Sequence, residues 1–183
     1  MGNPLIGIAG ICDLNTISFT NEVDNFWTEI SIPERLNIPD DKPDIEQIAE
    51  VNVAVKIIRK KVVVTPATDR GPNFAGKVLS GRKLIIEGKL CQTVAYAADR
   101  SSQPLHSVHF EVPFSAYIVV PKMIKVKGRE KGIDSLAINY QINACLEDVF
   151  VKEIGKRQIF KNVMLLLQAV PVATDGCLDT GEA

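Results

Sequence analysis

A chain of 183 residues is long enough for one domain with a full core and short for two. Its 46% hydrophobic and 23% charged residues give the balance of an ordinary globular protein. A net charge of −1 provides no basic footprint for nucleic acid or an anionic membrane, and no apolar run reaches the roughly 18 residues that a membrane span needs.

Residues 1–20 read as an arm of small apolar residues, interrupted by Gly2, Gly7 and Gly10. Pro4, Leu5, Ile6, Ile8 and Ile11 form its sticky part. The first basic residue is Arg35, so the positive stretch that opens a secretory signal is missing, and the arm is read as part of the mature protein. Ile6 stands where N-myristoylation wants Ser or Thr. Residues 21–173 are expected to form one β-sandwich domain, and 174–183 a C-terminal tail.

Within the domain, residues 21–39 alternate loosely and carry the only tryptophan, Trp27. Residues 40–51 read as a turn leading into a short helical or extended piece, with Pro43 suited to a first helical turn. Residues 51–67 are rich in β-branched side chains, as strands are.

Residues 82–99 predict one bent strand or a pair, with a bulge or kink at Gly88. Gly88, Leu90, Val94 and Tyr96 share one face of it, and Gln92 is the exception among them. Glu87, Lys89, Cys91 and Thr93 share the other, so Cys91 points toward water although a cysteine packs as a small hydrophobe.

Residues 107–121 alternate around Pro113, which argues for an edge strand or a bend. His106 and His109 sit three apart on this strand-like stretch and point to opposite faces, so they share no metal. Residues 135–151 place Cys145 with Asn139, Gln141, Asn143 and Glu147, the polar set. A hairpin around Gly155 leads to a more buried strand at 162–173. Turn chemistry fills 65–73, 99–104, 127–132 and 174–176. The sum is an all-β chain, an antiparallel β-sandwich with an extended N-terminal arm and at most one short helix.

No nucleophile elbow, phosphate loop or metal-ligand spacing appears, so the expectation is no catalytic residue, no cofactor and no metal. A carbohydrate-binding face would need exposed aromatics. Only 6% of residues are aromatic, and Trp27, Tyr96, Tyr117 and Tyr140 read as core.

Four cysteines remain: Cys12, Cys91, Cys145 and Cys177. As intracellular thiols they would be unpaired. An internal Cys91–Cys145 bridge between neighbouring strands is a second reading. Disulfides between molecules, formed after exposure to an oxidising exterior, are a third.

Three stretches, 26–51, 81–99 and 106–121, together resemble the SPOCS domain family of spore-coat and spore-morphogenesis proteins of clostridia-like bacteria. They carry Trp27 ahead of a strand, Pro-Asp-Ile-Glu-Gln-Ile at 43–48, Leu-Ile-Ile-Glu-Gly at 84–88, Tyr96 with Ala98, and Val-Pro-Phe at 112–114.

The resemblance implies a structural role at the endospore surface, without catalysis. A protein made in the mother-cell cytosol would reach an oxidising exterior at lysis, with no signal peptide. The expected function is then a self-assembling coat, exosporium or appendage subunit. It would polymerise with itself through the N-terminal arm, as a filament or lattice, and be locked by intermolecular disulfides. Cys12, Cys91, Cys145 and Cys177 are the candidates, with Cys12 a natural partner for a face cysteine such as Cys91. The arm either docks on a neighbour or forms the first strand of its own domain. A module that recruits other spore-coat proteins without polymerising is the alternative.

Overall fold

A computed structural model describes residues 6–13, 15, 17, 26–73, 76–125 and 132–172. Most of the described chain is strand. In order it forms β1 (Gly7–Ala9), β2 (Phe26–Asn37), β3 (Ile45–Ala67), β4 (Ser80–Ala98), β5 (Leu105–Val119), β6 (Met123–Ile124), β7 (Ile133–Asp134), β8 (Asn139–Gly155) and β9 (Gln158–Val172). One 3-10 turn, Ser135–Ala137, is started by Asp134, whose side chain accepts from the Leu136 amide.

Two sheets face each other. One has the order β1-β3-β4-β5 and the other β2-β9-β8, with β6 and β7 a small ribbon beside them. Every pairing is antiparallel except that of β1 with β3. The expected sandwich is therefore present. The central strands, β4 and β9, face each other through the core.

Strict alternation on β4 makes this possible. Leu84, Ile86, Leu90, Val94 and Tyr96 are at most 1% exposed, while the residues between them are half-buried on the outer face. The inward set splits into two apolar clusters. Leu36, Ile48, Val51, Leu90, Val94 and Ile159 belong to one, and Leu84, Ile86, Ile118, Leu165 and Leu167 to the other. Ile32, Val55 and Phe114 pack against both.

The structure decides between the alternatives the sequence leaves open. Residues 45–51 are the extended form, the start of β3. Residues 80–98 are one strand and not a pair. Gly88 is no kink: the register shift lies on β3, between Ile57 and Arg59, opposite it. The glycine makes room instead, since a Cβ there would come within 2.5 Å of Phe114 Cζ. Pro113 lies in β5, an edge strand, where its missing N–H costs no ladder bond. His106 stacks inward on Tyr96, and His109 meets Thr93 Oγ1 on the outside at 2.9 Å.

Tyr96 and Tyr140 are core, but Trp27 is 54% and Tyr117 43% exposed. Both lie out of phase with the apolar residues of their strands, Trp27 with Glu29 and Ser31, Tyr117 with Glu111 and Ser115.

The β8–β9 hairpin turns at Lys156 and Arg157. Arg157 donates to the carbonyls of Ile38, Pro39 and Lys42 and to Asp44 Oδ1. It thus ties the tip of one sheet to the connection that leads into the other.

Candidate functional site

One side of the sandwich is an open seam, where β3, edged only by the three residues of β1, faces β8 of the other sheet without pairing with it. The N-terminal arm crosses it. Gly7, Ile8 and Ala9 pair in parallel with Glu50, Val51 and Asn52 of β3. The chain then leaves β3 at Gly10, whose φ is +100°, and a Cβ on Gly10 would lie 2.1 Å from the Val53 carbonyl oxygen. Only glycine allows so close a pass in that conformation. Beyond it the Cys12 amide donates to the Leu146 carbonyl of β8 at 2.9 Å. Cys12 and Cys145 form a disulfide, with Cα atoms 5.5 Å apart.

The arm is therefore seated on its own domain, as its first strand, and not on a neighbour, the two placements open from sequence. Cys12 and Cys145 are joined within one chain, where the sequence reading gave each an intermolecular role, and the alternative Cys91–Cys145 bridge is not the one formed. The phase assigned to Cys145 is right: it lies on the outward side of β8 and pairs in register with Leu166. Its exposure is not, for Cys145 is fully buried. An arm bonded across that point explains the difference.

Of the arm residues, Ile6 packs against the core, while Ile8 and Ile11 are 37% and 48% exposed. Pro4, Leu5 and Cys177 lie outside the described residues.

Two clefts flank the seated arm along the same seam. One, of about 440 Å³, is lined by Ile6, Glu46, Ile48 and Val151 through Glu153. The other, also about 440 Å³, is lined by Ile57 through Lys60, Asn139 through Ile142 and Val172. The Lys60 ammonium reaches across the second to the Tyr140 carbonyl. On the opposite side of the sandwich, Trp27, Val78 and Tyr117 line a third cleft, between β2 and β5. The exposed aromatics that the sequence reading lacked are present there.

Cys91 is the free cysteine among the described residues. It faces outward at the middle of its sheet, in register between Ala54 and Glu111. Beside it Lys89 Nζ meets Glu111 Oε1 at 2.6 Å. That bond raises the Lys89 pKa and lowers that of Glu111. The thiol thus lies in a charged, half-open surface, the kind of place where a cysteine is reachable.

A group of polar side chains that the sequence reading did not assign lies inside the sandwich. Glu34 of β2, Lys161 of β9 and Gln92 of β4 are 6%, 0% and 3% exposed. Gln92 Nε2 donates to Glu34 Oε2 at 2.8 Å, and Lys161 Nζ lies 3.3 Å from the same oxygen. Burial pushes the Lys161 pKa below its ordinary value, and the Glu34 charge partly opposes this. Their signal was phase. Each sits among inward apolar residues: Glu34 between Ile32 and Leu36, Gln92 between Leu90 and Val94, Lys161 between Ile159 and Val163.

Among the described residues no group of three His, Cys, Asp or Glu side chains is placed to hold a metal, and no helix is long and apolar enough to cross a membrane. The fold and its seam define a two-sheet β-sandwich closed on one side by its own N-terminal strand. The family model for the SipL SPOCS domain matches residues 44–152, well over half of the chain, and the chain belongs to that family. The family is spore-associated, so this is a spore-related protein. The match runs from the start of β3 into β8 and leaves the arm, β2 and all of β9 outside it. No curated protein and no solved structure matches the chain.

Proposed function

We propose that the protein is a self-assembling structural subunit of the spore surface, polymerising by exchange of its N-terminal arm and locked by disulfides between molecules. The observation that supports this is the way the arm is held. Its contacts are a three-residue parallel pairing, one backbone hydrogen bond and one disulfide. An arm from a second copy would make the same contacts on the same seam, which is the condition for strand exchange. Donation in one direction along successive copies is heterologous and grows a filament or lattice. The Cys12–Cys145 pair then becomes the intermolecular lock, and outward-facing Cys91 is a second point of cross-linking. No turnover chemistry, cofactor, nucleic acid or membrane belongs to this reading.

The second reading is a module that recruits other spore-coat proteins and stays monomeric. The closed Cys12–Cys145 bond within one chain favours it, as does the cleft holding exposed Trp27 and Tyr117, since aromatics anchor protein interfaces.

Purified protein, oxidised in air, separates the two by negative-stain electron microscopy together with denaturing gels run with and without reductant. Ordered polymers, and a gel ladder that collapses on reduction and is missing in Cys12→Ser, support the subunit. A monomer that keeps its intrachain bond at all concentrations overturns it in favour of recruitment.

A further inference from the structure

We propose that Lys161 and Gln92 become joined by an isopeptide bond that the protein forms by itself, with Glu34 as the proton carrier, so that the two central strands of the sandwich are covalently tied through the core.

The geometry supplies the three parts of an acyl transfer to an amine. Lys161 Nζ is the nucleophile, the Gln92 side-chain amide is the acyl donor, and one oxygen of Glu34 touches both nitrogens, at 3.3 Å and 2.8 Å. The amide carbon Cδ is one bond from the nitrogen that Glu34 holds. In the step, a proton passes from Nζ to Glu34 Oε2, Nζ bonds to Cδ, and the Cδ–Nε2 bond breaks. The departing nitrogen takes the proton back from Glu34 and leaves as ammonia. One N–C bond is made and one broken, nothing is oxidised or reduced, and no co-reactant is needed. A carboxyl group in contact with both nitrogens is the general acid and base that such a transfer requires. Desolvation favours the uncharged, nucleophilic form of an amine, and that is the direction in which burial moves the Lys161 pKa.

A permanent ion pair explains the site less well. Buried charges that serve as structure are normally saturated with hydrogen bonds. Here Glu34 Oε1, Gln92 Oε1 and Lys161 Nζ have no hydrogen-bond partner, and the Nζ–Oε2 approach is ion-pair contact without a directed hydrogen bond. Three unfinished groups converge in an otherwise apolar cluster. Bond formation uses up the buried amine and converts two side chains into one neutral amide.

The test is the intact mass of the full-length protein, measured after reduction so that the Cys12–Cys145 bond does not count. The expected mass is short by one ammonia. A tryptic digest should then hold residues 90–100, which contain Gln92, joined to a peptide beginning at Gln158 and uncut at Lys161. Lys161→Met and Glu34→Gln keep the volume of the site, and each should restore the full mass while circular dichroism shows an intact β fold. Wild-type protein at its full sequence mass, with Lys161 cleaved normally by trypsin, overturns the proposal. So does a cross-link that still forms in Glu34→Gln, because the proton route through Glu34 would then be wrong.

Discussion

Cys12 of the arm and Cys145 of β8 are bonded across 133 residues of sequence. The bond fastens the arm that edges one sheet to the facing edge strand of the other. A link that closes so long a loop restricts the unfolded chain strongly, by about 4–5 kcal/mol in the loop-entropy description. Reduction, or Cys12→Ser, should therefore lower the urea midpoint of the monomer substantially without a loss of β signal in circular dichroism. A midpoint unchanged by reductant would mean that the bond is not formed in solution. The same measurement on assembled material distinguishes a lock within chains from one between them, because only the second also releases monomers.

Gly10 decides whether the arm can reach Cys145 at all. Its φ is +100° and a Cβ there would collide with the Val53 carbonyl. Gly10→Ala should lift the arm from β3, with a cost of about 1–3 kcal/mol if the arm is forced to stay. The readout is thiol alkylation of unreduced protein. Wild type should expose Cys91 and leave Cys12 and Cys145 blocked, whereas the variant should take up label at all three. Unchanged labelling would show that the arm tolerates the added methyl by a route other than the one seen.

The sheets were legible where a long strand announces its inward face by alternation, as β4 does at Leu84, Ile86, Leu90, Val94 and Tyr96. Phase was legible even where its meaning was not. Cys145 was placed on the right side of β8, but phase carries no information on what covers that side, and the covering arm joins it from 133 residues away. Gln92 stood out as a polar residue among apolar ones. Glu34 and Lys161 stood in equivalent positions on β2 and β9, yet nothing local says that three separate strands bring them to one point. Trp27 reads as core only if it alternates with the apolar set, and in β2 it shares the exposed phase of Glu29 and Ser31.

Arg157 holds the tip of the β8–β9 hairpin against the chain that leads from β2 into β3. Its planar fork reaches the Lys42 carbonyl at 3.0 Å and Asp44 Oδ1 at 2.8 Å through one nitrogen, and the Pro39 carbonyl at 2.5 Å through another. Lysine keeps the charge but cannot serve these acceptors together. Arg157→Lys should cost about 1–2 kcal/mol, reduced from the usual range for charged hydrogen bonds because a third of the side chain is exposed. The neighbouring Lys156–Asp99 pair lies in the open, so Lys156→Ala should leave the urea midpoint in place. If both variants behave alike, the clamp is ordinary surface charge.

Tyr140 gives the protein an alkaline limit. Its ring is 2% exposed, its hydroxyl is buried without a hydrogen-bond partner, and burial pushes its pKa from 10.0 to about 12. The folded state therefore holds this proton more tightly than the unfolded chain. The corresponding stability is fully present below pH 10 and is lost as pH rises through the folded value near 12. Two pH units correspond to on the order of 2 kcal/mol after allowance for partial solvation. Tyr140→Phe removes the titration and also an unsatisfied hydroxyl, so at neutral pH it should change stability by less than about 1 kcal/mol. Urea midpoints of the two proteins, compared from pH 9 to pH 12, isolate the effect from lysines that titrate in the same range, because those are common to both. The wild-type curve should fall away from that of the variant above about pH 10. Parallel curves would mean that the hydroxyl is solvated in the folded state, and that the β8 edge of the seam is open to water at Tyr140.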